Sequence, residues 1–414
     1  MSNSLAVVDM VLKESLSIAH EKITFIGTVD RQYDSTFRYD PSRGPNGQTI
    51  RVRNPNQYTR RQGSRVMDVQ DQDETTQNIT VATQDGVDMR FNSQELIQSV
   101  NSTGAFDNLS KNYIEPAIAA LISGIEADFL EACTKATWNV VGSAGTAMTT
   151  LSYPGSARAR LNQGLAPKAD RAIQVDSVTM GGLVNGVSAY FAPTDAIGKQ
   201  YREGLVKRTA MADYYENERC WTLTNSADVT ANTNADAGVT DGGSTINVSE
   251  DLAQADQVVG SVSTVAGVYS CHPETKAAYS HLQQFVVTAT GATAVTVKPT
   301  IYLTGAKKNV CSSTGADLAT TDFNEQAMTF SGAASTSYVQ PLMYHKEAFQ
   351  FITADLPLMD DAHKCVRRTM EGLSMRAWMG SDIRNDELLM RIDILYGMAQ
   401  LRPEWACRII GAAN

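Results

Sequence analysis

Apolar side chains recur at helical spacing in two places along this chain. Leu5, Val8, Leu12 and Leu16 follow Ser2, Asn3 and Ser4, any of which can cap a helix, and the spacing predicts a short amphipathic N-terminal arm. Ile114, Ile118, Leu121, Ile122, Ile125 and Phe129 mark one face of a longer helix over about Glu115 to Lys135, with Pro116 tolerated in its first turn. Elsewhere the pattern is that of strands. Asn78 to Thr83 (N-I-T-V-A-T) predicts one, and Phe285 to Thr288, Ala294 to Lys298 and Ile301 to Leu303 predict three more, separated by Gly and Asn turns. Leu388 to Leu395 reads as a buried strand or the end of a helix, and no internal repeat is visible.

Local composition adds two boundaries to this pattern. From Pro41 to Met67, turn-forming Pro, Gly and Asn mix with Arg43, Arg51, Arg53, Arg60, Arg61 and Arg65, and no acid occurs. The sign then reverses at Asp68, Asp71, Asp73 and Glu74. So little of this stretch can enter a core that it predicts a long projecting hairpin with one basic and one acidic arm. The second boundary is sharper. No arginine occurs between Arg219 and Arg367, and residues 226–340 are mainly Ala, Ser, Thr, Val and Gly with an acidic excess, which predicts an autonomous all-β insert.

A length of 414 residues calls for two or three domains, or one domain with a large insertion. Charged residues are 19% of the chain, against a norm of about a quarter, while 43% are hydrophobic, enough for a sizeable core. The 45 acids and 35 bases leave a formal charge of -10, which argues against a dedicated nucleic-acid binder and confines any polyanion contact to local patches. The first fifteen residues lack a basic n-region ahead of an apolar run, and Ala117 to Ile125 is too short to span a bilayer, so neither export nor a membrane is expected. Cys133, Cys220, Cys271, Cys311, Cys365 and Cys407 form no C-x-x-C pair, and reduced thiols in a cytoplasmic product are the expectation.

Catalytic chemistry finds no purchase. There is no G-x-S-x-G elbow, no G-x-G-x-x-G, no phosphate loop ending in G-K-[ST], and no D-x-D-x-D-G calcium loop, although Asp71 and Asp73 superficially invite the last. The histidines are His20, His272, His281, His345 and His363. Cys271, His272, His281 and Cys311 have the right donor atoms for a metal, but adjacent Cys and His side chains diverge on a strand. Asp360 and Asp361, near Asp355, read as a solvated turn. No catalytic residue, metal or cofactor is therefore predicted. The arginines interleaved with Tyr58 resemble a strand-based nucleic-acid reader, yet the acidic stretch beside them would repel phosphates. Opposite charges on one hairpin suit a head-to-tail protein contact instead, which makes Arg51, Arg53, Arg60, Arg61, Arg65, Asp68, Asp71, Asp73 and Glu74 candidate intersubunit residues; for any one of them the plain alternative is a solvated surface charge.

The C-terminal stretch is the most specific signal. Asp382-Ile383, Leu389, Arg391-Ile392, Tyr396-Gly397 and Arg402-Pro403-Glu404 resemble the closing motif of the major capsid (coat) proteins of short-tailed double-stranded-DNA phages that carry an inserted domain. A second match is Tyr201-Arg202-Glu203-Gly204, followed by an acidic-aromatic stretch and Leu223-Thr224, where that family enters its insert. The order of parts agrees over nearly the whole chain.

This resemblance implies an α+β chain with the Johnson fold of tailed-phage capsids. Its parts would be an N-terminal arm (1–40), an extended loop (41–86), a peripheral domain with its spine helix (87–150) and the first part of an axial domain (151–225). An inserted Greek-key β-barrel (226–340) and a return through the axial and peripheral domains (341–414) would follow. Tyr201, Arg202, Gly204, Arg391, Tyr396, Gly397, Arg402 and Pro403 would be the structural motif residues. The implied partners are copies of the chain in pentamers and hexamers of an icosahedral shell, a scaffolding protein, a portal protein and enclosed double-stranded DNA held by weak non-specific contact; the implied location is the virion, after assembly in the host cytoplasm. One departure matters. Some relatives of this fold weld subunits through a lysine-asparagine isopeptide bond from the extended loop, but no lysine occurs here between Lys22 and Lys111, so that cross-link is chemically unavailable through the loop. The competing readings are an encapsulin-like shell, which generally lacks so large a β insert, a cytosolic hydrolase using His272 or His281, and a secreted adhesin, which the cysteine pattern opposes.

Overall fold

The computed structural model describes residues 3–31, 49–63, 65–67, 69–70, 74–92, 113–187, 212–227, 229–232, 239–248, 258–291, 294–359, 364–370 and 372–411. In chain order, α1 (Asn3–Lys22) precedes three strands, β1 (Thr49–Arg53), β2 (Thr76–Thr80) and β3 (Thr83–Asn92). Next come α2 (Glu115–Ala136), β4 (Val140–Val141), α3 (Ser152–Gln163), β5 (Arg171–Val175), α4 (Ser177–Val187) and β6 (Asp213–Glu216). A long β run follows: β7 (Thr222–Thr224), β8 (Thr230–Asn232), β9 (Gly243–Asn247), β10 (Val262–Cys271), β11 (Ala278–Thr290), β12 (Ala294–Ile301), β13 (Val310–Cys311), β14 (Ala327–Phe330) and β15 (Ser337–Val339). The chain closes with β16 (Leu342–His345), β17 (Phe349–Ala354), β18 (Lys364–Met370), β19 (Leu373–Asp382), β20 (Glu387–Gln400) and β21 (Ala406–Ile409). The α+β expectation holds, and Leu388 to Leu395 is strand, inside β20.

Two compact units emerge. The first comprises residues 1–52, 76–129 and 349–401. Its sheet is organised by β20, which pairs antiparallel with β19 and β3 along its first part and with β17 along its last six residues. The predicted face of α2 is buried: Ile118, Ile122, Ile125 and Phe129 are all 2% exposed or less. Phe129 packs against Phe25 (5.0 Å between ring centroids) and Phe351 (5.5 Å), and Phe351 stacks on Tyr396 (5.5 Å). Within this aromatic core the fully buried Glu126 accepts hydrogen bonds from the backbone N–H groups of Thr24 (2.9 Å) and Phe25, just beyond the end of α1. A buried carboxylate persists because those donors satisfy it.

The second unit comprises residues 53–75, 130–348 and 402–414. It holds a five-stranded sheet in the order β4-β21-β16-β5-β6 and an antiparallel seven-stranded sheet, β8-β14-β10-β11-β12-β9, with β13 also pairing with β10. Val265, Val268, Phe285, Val287, Val297 and Met328 are central to the core of the second sheet. Where the chain enters and leaves this β region, β7 and β15 pair as a two-stranded stalk, with Leu223 opposite Tyr338. At its base, Val262, Val286 and Tyr338 pack against Val140 and Ile410, and the Gln284 side-chain amide clasps the Val140 backbone with two hydrogen bonds of 2.8 Å.

Two strand expectations change. The run Asn78 to Thr83 is not one strand: it breaks at Val81 and Ala82, because β2 pairs with β1 while β3 pairs with β20. The break falls where the chain changes sheets, and Val81 is buried in the turn between them. Conversely, Ala294 to Lys298 and Ile301 to Leu303 do not form separate strands, since β12 continues through Pro299 to Ile301. The β12 register against β9 shifts between Thr296 and Ile301, which is where a residue lacking N–H is tolerated.

Candidate functional site

The hairpin carried by β1 and β2 begins with alternation. Ile50 and Val52 are half-buried and pack with Ile79, Val81, Ile352 and Ala399, while Arg51 and Arg53 stand exposed on the other face. Beyond the paired strands, Asn54 N–H donates to Thr75 O (2.9 Å), and Arg53 Nη1 meets Glu74 Oε2 at 3.5 Å. The two arms are also tied by Gln70, whose side-chain amide accepts from Thr59 N–H and donates to Thr59 O, each at 2.8 Å. A side chain thus supplies the ladder that a strand partner would give.

Arg60, Arg61 and Arg65 are exposed. Arg60 donates to Gln62 Oε1 (2.8 Å) and Arg61 to the Val66 carbonyl, so both are oriented by neighbours in the loop. Of the nine predicted contact residues, the structure brings Arg53 and Glu74 together, and this is the one ion pair on the hairpin among the described residues. Asp68, Asp71 and Asp73 lie outside the described residues. What charge patterning missed is the apolar content of the same surface. Tyr58, Val66, Met67 and Val69 are 54%, 77%, 76% and 75% exposed. Exposed apolar side chains and arginines thus share this loop.

The C-terminal motif explains how the hairpin base is seated. Gly397 lies on β20 where β2 turns into β3; a methyl group there would run into the Thr80 carbonyl oxygen and come within 3.0 Å of Val81 Cα. Its neighbour Tyr396 is buried, with its hydroxyl donating to Asp85 Oδ2 at 2.6 Å; burial, then that contact, raises its pKa. Arg391 donates through Nε (3.0 Å) and Nη2 (2.8 Å) to Asp393 Oδ1. The other oxygen of Asp393 accepts from Arg376 Nη2 at 2.7 Å, with Asp393 and Arg376 only 0% and 4% exposed. Gly86, opposite Asp393 in the register, completes the fit, because a Cβ there would stand 2.6 Å from Asp393 Oδ1. Asp393 and Arg376 escaped sequence reasoning; the signal available was an acid and a base placed in otherwise apolar alternating runs.

The remaining motif residues serve the second unit. Arg402 lies over the Trp405 ring (4.2 Å) and its N–H donates to Ala348 O (3.0 Å), while Pro403 opens a short 3-10 turn. Trp405 Nε1 donates to Gly164 O (2.9 Å). Arg408, fully buried and also missed in the sequence, donates to Gly260 O (2.7 Å) and to Lys135 O (3.3 Å) at the end of α2. Burial pulls its pKa down to about 9. Tyr201, Arg202 and Gly204 lie outside the described residues. Among the described residues no group of three or more His, Cys, Asp or Glu side chains is placed to hold a metal ion, and no helix is long and apolar enough to cross a membrane.

Residues 219–411 match the model of the family described as P22 coat protein, gene protein 5, and this match supports a phage major capsid protein. It takes in the stalk, the seven-stranded sheet and the whole C-terminal motif. Among solved structures, the chain is similar to one of Mycobacterium phage Che8 (10% identity, TM-score 0.48, covering 93% of this chain and 90% of that one). It is also similar to the capsid of Ralstonia phage GP4 (6% identity, TM-score 0.47, 94% and 87%) and to that of the cyanophage P-SCSP1u (12%, 0.44, 89% and 84%). A comparison with curated proteins finds no match.

Proposed function

We propose that this chain is the major capsid protein of a short-tailed double-stranded-DNA phage, and that its copies assemble as pentamers and hexamers into the icosahedral shell. The observation that carries the reading is the coat-protein match over 219–411, which contains the β20 residues that seat the hairpin. In this reading residues 1–40 are the arm, 41–86 the extended loop, 87–150 the peripheral domain with α2 as spine, and 151–225 and 341–414 the axial and returning segments. Residues 226–340 are a Greek-key barrel inserted between them. The role is structural, with no bond of a substrate made or broken.

Arg51, Arg53, Arg60, Arg61 and Arg65, with Asp68, Asp71, Asp73 and Glu74, face neighbouring subunits; heterologous contacts of this kind close into rings. A scaffolding protein and a portal protein are partners in assembly, which takes place in the host cytoplasm and ends in the virion. The net charge of -10 suits a wall that touches enclosed DNA only weakly, since each phosphate neutralised would release counterions and add affinity. A protein-lined shell for enzymes fits the large insert less well. Sedimentation of the full chain, expressed with and without the genes beside it, tests the proposal: fast, homogeneous shells are expected when scaffold and portal are present, and a subunit that stays small under all such conditions overturns it.

A further inference from the structure

Arg408 stands on β21, where its backbone N–H donates to Asn139 O (2.8 Å), so the root of its side chain is fixed in the five-stranded sheet. The guanidinium is fully buried, and no carboxylate among the described residues pairs with it. Its hydrogen bonds go instead to main-chain carbonyls of two other elements. Nη2 reaches Lys135 O (3.3 Å), one of the last carbonyls of α2, which have no partner within the helix and lie at the negative end of its dipole. Nη1 reaches Gly260 O (2.7 Å), just ahead of β10, while Gly260 N–H donates to Val287 O of β11 (2.8 Å). The Trp221 ring closes the site at the foot of the stalk, with the Arg408 guanidinium 5.7 Å and Lys135 Nζ 5.3 Å from its centroid. Only glycine suits this close approach at position 260: its φ is +97°, and a Cβ there would stand 2.7 Å from Trp221 Cη2 and 3.0 Å from Lys135 Cγ.

A charge held away from water must keep its hydrogen bonds, and this one has few to spare. Nε already has no partner, so withdrawing either carbonyl leaves a buried cation with a single hydrogen bond. We infer that Arg408 is a latch that couples the placement of the seven-stranded sheet to the end of α2: the joint is closed on both sides or open on both, with no stable half-open form. Displacing the Gly260 segment from the sheet side therefore loosens the helix end, and freeing the helix end loosens the Gly260 segment. The latch belongs to the single subunit and does not depend on assembly.

The test is hydrogen exchange read by mass spectrometry on the full chain as the unassembled subunit, comparing the parent with R408M and G260A. R408M keeps the bulk of the side chain and removes its charge. G260A leaves Arg408 intact and pushes its carbonyl partner away from the sheet side. Each variant is expected to speed exchange roughly tenfold or more in both 258–262 and 134–140, with β12 as slow as in the parent. The response of 134–140 to G260A is the decisive one, because a coupling between two places acts in both directions. Faster exchange in only one of the two stretches, in neither, or spread through β12 overturns the inference. If R408M does not fold, G260A is read alone by the same criterion. Failure of both to fold also overturns it, since the joint would then be inseparable from the fold as a whole.

Discussion

Asp393 shows what a single residue does for the first unit. It is fully buried, and each oxygen is held by a different arginine, Arg376 and Arg391. Removing one partner of a buried pair leaves an uncompensated charge, which typically costs about 3–5 kcal/mol. D393N should therefore lower the unfolding free energy of the unassembled subunit by that order. R391M, at a side chain 43% exposed, should cost no more than about 1 kcal/mol. Equal effects in urea unfolding would count against the assignment.

His281 gives a pH signature at the same scale. It stacks on Tyr279 (5.4 Å), and burial, with the positive charge of Arg160 as a second cause, depresses its pKa from 6.5 to about 4. The folded protein thus keeps His281 neutral where the unfolded chain takes up a proton, so stability is lost as pH falls from about 6.5 toward about 4 and the loss saturates below. H281N should lose less stability than the parent across that window in parallel thermal melts, and an identical loss would remove His281 from the acid response. Residues of this kind mark the limit of what the sequence makes legible. Tyr396 and Gly397 could be picked out because they lie in a compact motif. Asp393, Arg376 and Arg408 could not, because Arg376 stands 17 positions from Asp393 and the carbonyls that Arg408 holds are 148 and 273 positions away.

At the scale of elements, the spine helix was readable because every apolar position at helical spacing goes to one interior. In the N-terminal helix, Leu12 and Leu16 of the predicted stripe are buried. The pairing of β1 with β2 falls in the stretch that turn residues and charge mark as a hairpin, but the split between β2 and β3 was not readable, since continuous β-forming residues do not announce a change of partner. The hairpin also carries the clearest test of function. Arg60, Arg61 and Arg65 are exposed, so reversing them to glutamate should leave subunit stability within about 0.5 kcal/mol. If each pairs across a subunit boundary, the loss per pair is about 0.2–1 kcal/mol, repeated at every copy in a shell. Particle yield and heat resistance should fall while the melting of the free subunit does not move; unchanged particles would take these residues out of the contact. With no lysine between Lys22 and Lys111, the loop has no covalent cross-link to mask that loss.

At the scale of the whole molecule, low charge content and exposed apolar groups on a charged loop describe a protein whose surface is completed by other copies of itself. The stalk of β7 and β15 closes off the seven-stranded sheet from the pairing of β16 with β5 and β21. The all-β character of this region was visible in the sequence through its composition, with no arginine from 220 to 366, a break no pattern of periodicity would reveal. Its strand order was not, because the pairing of β10 with β14 and β13 joins segments separated by long stretches of chain. Electron cryomicroscopy of particles made by the full chain with its neighbouring genes is the most direct measurement of the central claim. The account predicts closed icosahedral shells in which the 49–80 hairpin of each subunit lies across an adjacent one. Shells in which that hairpin touches only its own subunit, or preparations that contain no shells at all, would contradict it.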